Sequence, residues 1–197
     1  MKEYLTGSIS GYLEKLAERS ITPGGGSASA LTAAVGAALN LMVLNYSMKK
    51  DSPDEAPSGF LDALKKEKQA LKNLSDLIDE DCRAFEKLMK ALSAKEDAQK
   101  EYRGAAGVPM EVCRQSKASL EVTALLAPKA NKNLMTDVGC ASHMLKAAFL
   151  SARLNAEVNL KRIEDGSFRD SSRRALSDME KEVEDLDRSI QETLKIS

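Results

Sequence analysis

Residues 21–48 read ITPGGGSASALTAAVGAALNLMVLNYSM and carry no charged side chain. By length alone this run could cross a membrane. Ser27, Ser29, Thr32, Asn40 and Asn45 interrupt it, however, and six alanines fall between Ser27 and Leu44. That is more polar and smaller-grained than a typical span. A helix apolar on all sides also belongs at the centre of a soluble core, where small side chains let its neighbours approach closely. The stretch predicts a buried central helix in an all-α protein, with no membrane partner.

The composition around it agrees. A chain of 197 residues, 43% hydrophobic and 30% charged, can bury a sizeable core in one domain spanning 1–197. With no Trp, four Tyr and four Phe, that core must be built from Ala, Leu, Val and Met, a palette suited to close-packed helices. The 29 basic and 30 acidic side chains are interleaved and offer no basic stripe to a nucleic acid backbone. Cys82, Cys113 and Cys140 lie roughly thirty residues apart with no CxxC pair, which is not a disulfide framework. His143 is the sole histidine, so a metal site is not expected. The segment MKEYLTGSIS has no apolar signal core. A cytoplasmic protein is the simplest expectation.

Helical period runs nearly throughout. The pattern predicts helices from Leu5 to Arg19, from Ser27 as N-cap to Lys49-Lys50, and then, after an acidic loop at Asp51–Pro57 holding two prolines, to about Leu92 or beyond. Gly104–Val108 reads as a break, Pro109 as the first turn of a helix ending at Ala127, and Pro128 as its stop. A helix from Thr136 to Ile163 is closed by Asp165-Gly166-Ser167, and Arg169–Lys195 forms the last. There, Leu176, Met179, Val183, Leu186, Ile190 and Leu194 make one apolar seam, expected to pack on its own bundle, with a subunit interface as the alternative.

In the third helix Leu64, Leu71, Ile78, Phe85 and Leu92 recur every seven residues, and the second row of the seam sets Asp81 between Leu74 and Leu88. An isolated buried carboxylate is costly, so Asp81 must be paired, hydrogen-bonded, protonated or at the edge of a pocket. The loop Thr22-Pro23-Gly24-Gly25-Gly26-Ser27 precedes a helix N-terminus. Three glycines there leave backbone N–H groups uncovered, where the helix dipole favours an anion; a flexible turn is the plainer alternative. A third cluster is Asn133-Leu134-Met135-Thr136-Asp137, where Thr136 can cap the next helix and Asp137 enters its first turn. Asp137 and Asn155 share a helix face about 27 Å apart, with Asn159 close to it, and cannot meet on one small substrate atom. Cys140 and His143, one turn apart, have the spacing of a nucleophile and base but lack an orienting third group.

These features together resemble the cyclodeaminase/cyclohydrolase family, the helical domain at the C-terminal end of formiminotransferase-cyclodeaminase that also occurs as free-standing bacterial proteins. The resemblance covers nearly the whole chain. It rests on Thr22–Ser27, Gly36-Ala37-Ala38-Leu39 with Met42-Val43, Asp81 with Ala84-Phe85, Val108-Pro109, Asn133 with Thr136-Asp137, and Asn155 with Asn159-Leu160. Ser29, Thr136 and Ala156 depart from the family's usual alanine, serine and valine, which bears on substrate preference more than on fold.

The resemblance implies an elongated up-and-down helical bundle that forms a homodimer. Its substrate would be a one-carbon tetrahydrofolate derivative, with or without a polyglutamate tail, and no permanently bound cofactor or metal. It implies either closure of 5-formiminotetrahydrofolate to 5,10-methenyltetrahydrofolate with loss of ammonia, or hydrolysis of the methenyl compound to 10-formyltetrahydrofolate. Asp137 is the first choice as general acid/base and Asp81 the second. Thr22, Pro23, Gly24, Gly25, Gly26, Ser27, Asn133, Thr136, Asn155 and Asn159 would bind the substrate. A catalytically silent association module of the same fold is the alternative from another class.

Overall fold

The structure, a computed structural model, describes residues 4–48 and 56–196. Among these residues the chain forms six α-helices and no strand: α1 Ile9–Ala17, α2 Gly25–Ser47, α3 Phe60–Ser93, α4 Gln99–Leu126, α5 Met135–Leu160 and α6 Gly166–Ile196, with a 3₁₀ turn at Lys132–Leu134 ahead of α5.

The charge-free helix α2 is the hub, packed against α3, α4 and α5. Ala30, Ala33, Ala37, Val43 and Leu44 are inaccessible to solvent. Small residues on this helix bring the backbones together: a Cβ on Gly36 would stand 2.7 Å from Leu145 Cγ of α5, closer than packed carbon atoms tolerate. The helix is long and apolar enough to cross a membrane by length and composition, yet its buried face is spent on three neighbouring helices.

Helix α6 lies across α4 and α5. Leu176, Val183 and Ile190 of its seam are buried, and Met179, Leu186 and Leu194 pack partly buried beside them. The seam therefore serves its own bundle. Each fully buried aliphatic side chain contributes about 1.5–3 kcal/mol, so the seam outweighs the ion pairs that flank it, Lys146–Asp187 at 2.7 Å, Arg153–Glu180 at 2.6 Å and Arg173–Glu157 at 2.6 Å.

Several expected boundaries move. Helix α1 begins at Ile9 because Ser8 caps it, its hydroxyl accepting from Gly11 N–H at 3.0 Å. Helix α2 starts two residues before Ser27, with Gly24 at the cap position; Ser27 is a buried first-turn residue. Gly104–Val108 is no break, since α4 runs unbroken from Gln99 through Pro109. Thr136 does not cap α5, whose cap position is Leu134, and Asn131 instead caps the 3₁₀ turn by accepting from Asn133 N–H at 3.0 Å. Asp165 opens α6 rather than closing α5: its carboxylate accepts from Phe168 N–H at 3.0 Å. The expected helix end at Lys49-Lys50 and most of the loop at Asp51–Pro57 lie outside the described residues.

One core feature is absent from the seam pattern. Glu67 of α3 is 1% exposed. It accepts from Asn40 Nδ2 at 3.0 Å, while Asn40 also donates to the Ser119 carbonyl at 2.9 Å and accepts from Thr123 Oγ1 at 3.0 Å. Burial pushes the Glu67 carboxyl up to about 7, against the pull of the hydrogen bond from Asn40.

Candidate active site

The first turn of α2 has no capping side chain of its own, because Gly24 has none to offer. Asp81 supplies the acceptor from across the bundle, taking a hydrogen bond from the Ser27 backbone N–H. It can do so because residue 26 is glycine: a Cβ there would overlap the Asp81 carboxyl. A carboxylate beside a helix N-terminus is electrostatically favoured, yet burial outweighs that hydrogen bond and raises Asp81 to about 6. Asp81 is thus ordered, partly shielded from water, and able to exist in both protonation states near neutrality.

Two asparagines of α5 face the same turn. Gly25 lies against Asn155, its missing Cβ 3.4 Å from the Asn155 amide nitrogen. Asn155 donates to the Ser151 carbonyl at 2.9 Å, and its amide oxygen lies 3.5 Å from the same missing Cβ of Gly25. Asn159 donates to the Ala105 carbonyl at 3.0 Å and to the Asn155 carbonyl at 3.1 Å. Both of its amide hydrogens are engaged, so what it can offer a ligand is an acceptor.

The glycine loop is held on α3 by Thr22, whose hydroxyl donates to Glu86 at 2.8 Å. Together Thr22, Gly24, Gly25, Gly26, Asp81, Asn155 and Asn159 line one cavity of about 240 Å³, walled also by Ile21, Phe85, Ala105 and Val158. Pockets that take a whole drug-sized ligand run to about 300–1,000 Å³, so this one suits one end of an extended molecule. Its mouth is apolar, with Ile21 and Val158 each 64% exposed. A larger groove of about 560 Å³ between α3 and α4, over Glu67, shares none of these residues.

Seven of the expected site residues therefore meet. Pro23 is buried beneath the loop, following a cis peptide bond. Ser27 is inaccessible and does not line the cavity; its hydroxyl lies 3.2 Å from that of Tyr12. Asn133, in the 3₁₀ turn ahead of α5, and Thr136 and Asp137, in the first turn of α5 about five turns from Asn155, take no part in this cavity. Cys140 and His143 are both exposed, with no hydrogen bond between them, which gives no support to a nucleophile–base pair. Ile21, Phe85, Ala105 and Val158 were not expected in the site. Phe85 had a readable signal, one helical turn after Asp81 on the same seam; Ala105 and Val158 come close only through the packing of α4 and α5.

Comparison with known proteins shows what this arrangement is similar to. Residues 8–178 match the formiminotransferase-cyclodeaminase family. A methenyltetrahydrofolate cyclohydrolase from Methylorubrum extorquens is 32% identical, the match covering 95% of this chain and 96% of that protein. The formimidoyltransferase-cyclodeaminase of Gallus gallus is 31% identical over 85% of this chain, which spans about a third (33%) of that longer protein. The crystal structure of a formiminotetrahydrofolate cyclodeaminase from Thermotoga maritima superposes with a TM-score of 0.89 at 31% identity, covering 96% of both chains.

Proposed function

We propose, from the premise that this chain belongs to the formiminotransferase-cyclodeaminase family, that it interconverts one-carbon forms of tetrahydrofolate with Asp81 as general acid/base. The observation that carries the reading is the pairing of Asp81 with the glycine turn: a shielded carboxyl, held by Ser27 N–H and raised to about 6, opens on a cavity with asparagine acceptors. In the cyclodeaminase reaction N10 attacks the formimino carbon on N5, giving a tetrahedral carbon. N10 must lose its proton and the imine nitrogen must gain two in all, one balanced by the N10 proton and one drawn from solvent, so that ammonia is expelled and the cationic methenyl bridge remains. A carboxyl that titrates near neutrality can serve in both transfers. Asn155 and Asn159 would accept from ring N–H groups, and Ile21, Phe85 and Val158 would cover the flat ring.

The cyclohydrolase reaction is the second reading, favoured by the end-to-end match with the Methylorubrum extorquens protein. There water adds to the methenyl carbon and Asp81 would take its proton. Absorbance assays with 5-formimino- and 5,10-methenyltetrahydrofolate separate the two. Asp81→Asn should lower turnover by about two to four orders of magnitude with folate still bound. Full activity of that variant on both substrates would overturn the assignment.

The same reading includes a homodimer. Along α5, Cys140, His143, Ala147, Leu150, Ser151, Leu154 and Val158 form an exposed, uncharged stripe, with Leu154 69% exposed. Val35 and Tyr46 continue it on α2. Its ends differ in charge, with Asp137 at one and Lys161 and Arg162 at the other, which favours antiparallel pairing of two copies. A twofold axis crossing α5 near Ala147 would lay the partner subunit's Asp137 beside Asn155 and Val158. Asp137, remote within one subunit, would then reach the cavity of the other.

A further inference from the structure

Helix α1 docks in an unusual way. Its buried residue is Tyr12, at 5% exposure, while Ile9 and Leu13 stand in solvent at 78% and 54%. An amphipathic helix ordinarily buries its aliphatic residues; here a phenol goes in. The Tyr12 hydroxyl lies 3.2 Å from Ser27 Oγ, both buried, and Ser27 is the residue whose backbone N–H holds Asp81. The other end of the segment is tied to α3 as well. Tyr4 N–H donates to Asp79 Oδ1 at 2.9 Å, and the Tyr4 ring meets Tyr12 edge to face at 5.6 Å. The path Asp79, Tyr4, Tyr12, Ser27, Asp81 therefore leaves α3 and returns to it two residues later.

We propose that Tyr12 and Ser27 are positioning residues for Asp81, so that the one buried side chain of α1 belongs to the catalytic device although it lends no atom to the cavity. This rests on reading Asp81 as the acid/base. The geometry supports it because the first turn of α2 carries the donor that fixes the carboxyl, and the buried hydroxyl pair fixes that turn. A hydroxyl pair that served packing alone would not need to sit on the donor residue itself.

The titratable groups that interact with Asp81 are Tyr12 from α1 and its chain neighbour Cys82 on α3, and Cys82 is faced in turn by Asp79 and Glu86 of the same helix. Helices α2, α4 and α5 face it with Gly26, Ser27, Ala105, Asn155 and Asn159, none of them charged. Ser27 N–H is thus the chief influence drawing the Asp81 carboxyl downward. Loosening the turn should let it rise.

Tyr12→Phe removes one oxygen and keeps the ring. Its effect is expected in kcat, lower by about tenfold, with KM nearly unchanged and the pH–rate midpoint displaced upward by about half a unit or more. The same displacement should appear in a carbon-13 NMR titration of the Asp81 carboxyl without substrate, and again in Ser27→Ala. Leu13→Ala, on the exposed side of α1, should leave both unchanged. An unmoved Asp81 titration in Tyr12→Phe, whatever the melting temperature does, overturns the proposal. Inactivity of the unaltered protein on folates would instead count against the functional reading, which the substrate-free titration keeps separate.

Discussion

Asn159 of α5 donates its side-chain amide to the carbonyl of Ala105, the acceptor that Pro109, four residues on, leaves without a helical N–H. An asparagine on one helix thus repairs the hydrogen-bond gap made by a proline in another, and the repair stands in the wall of the candidate site. Asn159→Ala should cost about 1–3 kcal/mol by leaving that carbonyl without a donor. In a Pro109→Ala background, where the helix supplies its own N–H, the cost should shrink to a few tenths. Urea melts of the four proteins in the double-mutant cycle check this; additive effects would show that the two residues are not coupled.

Gly26 and Gly24 differ in what a methyl group would meet. At Gly26 it would overlap the Asp81 carboxyl, whereas at Gly24 no atom lies within 4 Å. Gly26→Ala should therefore destabilise by about 1–3 kcal/mol and lower turnover at least about a hundredfold, and Gly24→Ala should do neither. Melting temperature and initial rates of the pair decide whether the loop is a cradle or only a turn.

Two shielded carboxyls make stability fall as pH rises. Glu67 is raised to about 7 and Asp81 to about 6, both above their unfolded range near 4. The fold therefore favours their neutral forms. The stability this gives is fully present below about pH 4 and is lost as pH rises through about 6 for Asp81 and about 7 for Glu67. Glu67→Gln keeps an acceptor for Asn40 and removes the charge. It should flatten the decline and leave the variant on the order of 1–3 kcal/mol more stable at pH 8. Asp81→Asn should likewise be no less stable than the parent above pH 6 while losing turnover, a trade expected of a functional residue. Thermal melts from pH 4 to 8 test both.

Much of this was readable from single residues. The charge-free run announced α2, and Asp81 between Leu74 and Leu88 announced a carboxyl needing an explanation. What escaped were relations between helices. Gly104–Val108 looks like a loop because glycine and proline weaken a helix locally, but buried Ala105 and Ala106 pack inside the bundle and Asn159 satisfies the freed carbonyl, so tertiary contacts override propensity. Glu67 gives no signal in the sequence for the same reason: its partner Asn40 lies 27 positions away. The distance between Asp137 and Asn155 was legible from helix rise, and the structure likewise keeps Asp137 out of the cavity within one subunit.

The proposed dimer makes a sharper prediction. If the partner subunit's Asp137 serves the Asp81 cavity, Asp81→Asn and Asp137→Asn proteins, each nearly inactive, should regain about a quarter of full activity when refolded together, because half of random dimers are mixed and each mixed dimer holds one intact site. Absence of recovery, with mixed dimers shown by sedimentation or native mass measurement, would remove Asp137 from the mechanism. Leu154→Asp should convert the dimer to monomer.

The absence of charge on α2 also matters while the protein is being made. This helix is complete at Ser47, but its partners α3, α4 and α5 follow in sequence and the last ends at Leu160. At about 5–20 residues per second, the ribosome leaves the most apolar helix of the chain without its full set of neighbours for on the order of ten seconds. During that interval nothing on the helix repels a chaperone, a targeting factor or another nascent copy. Its seven hydroxyl and amide side chains from Ser27 to Ser47 are then the sole side-chain polarity it presents.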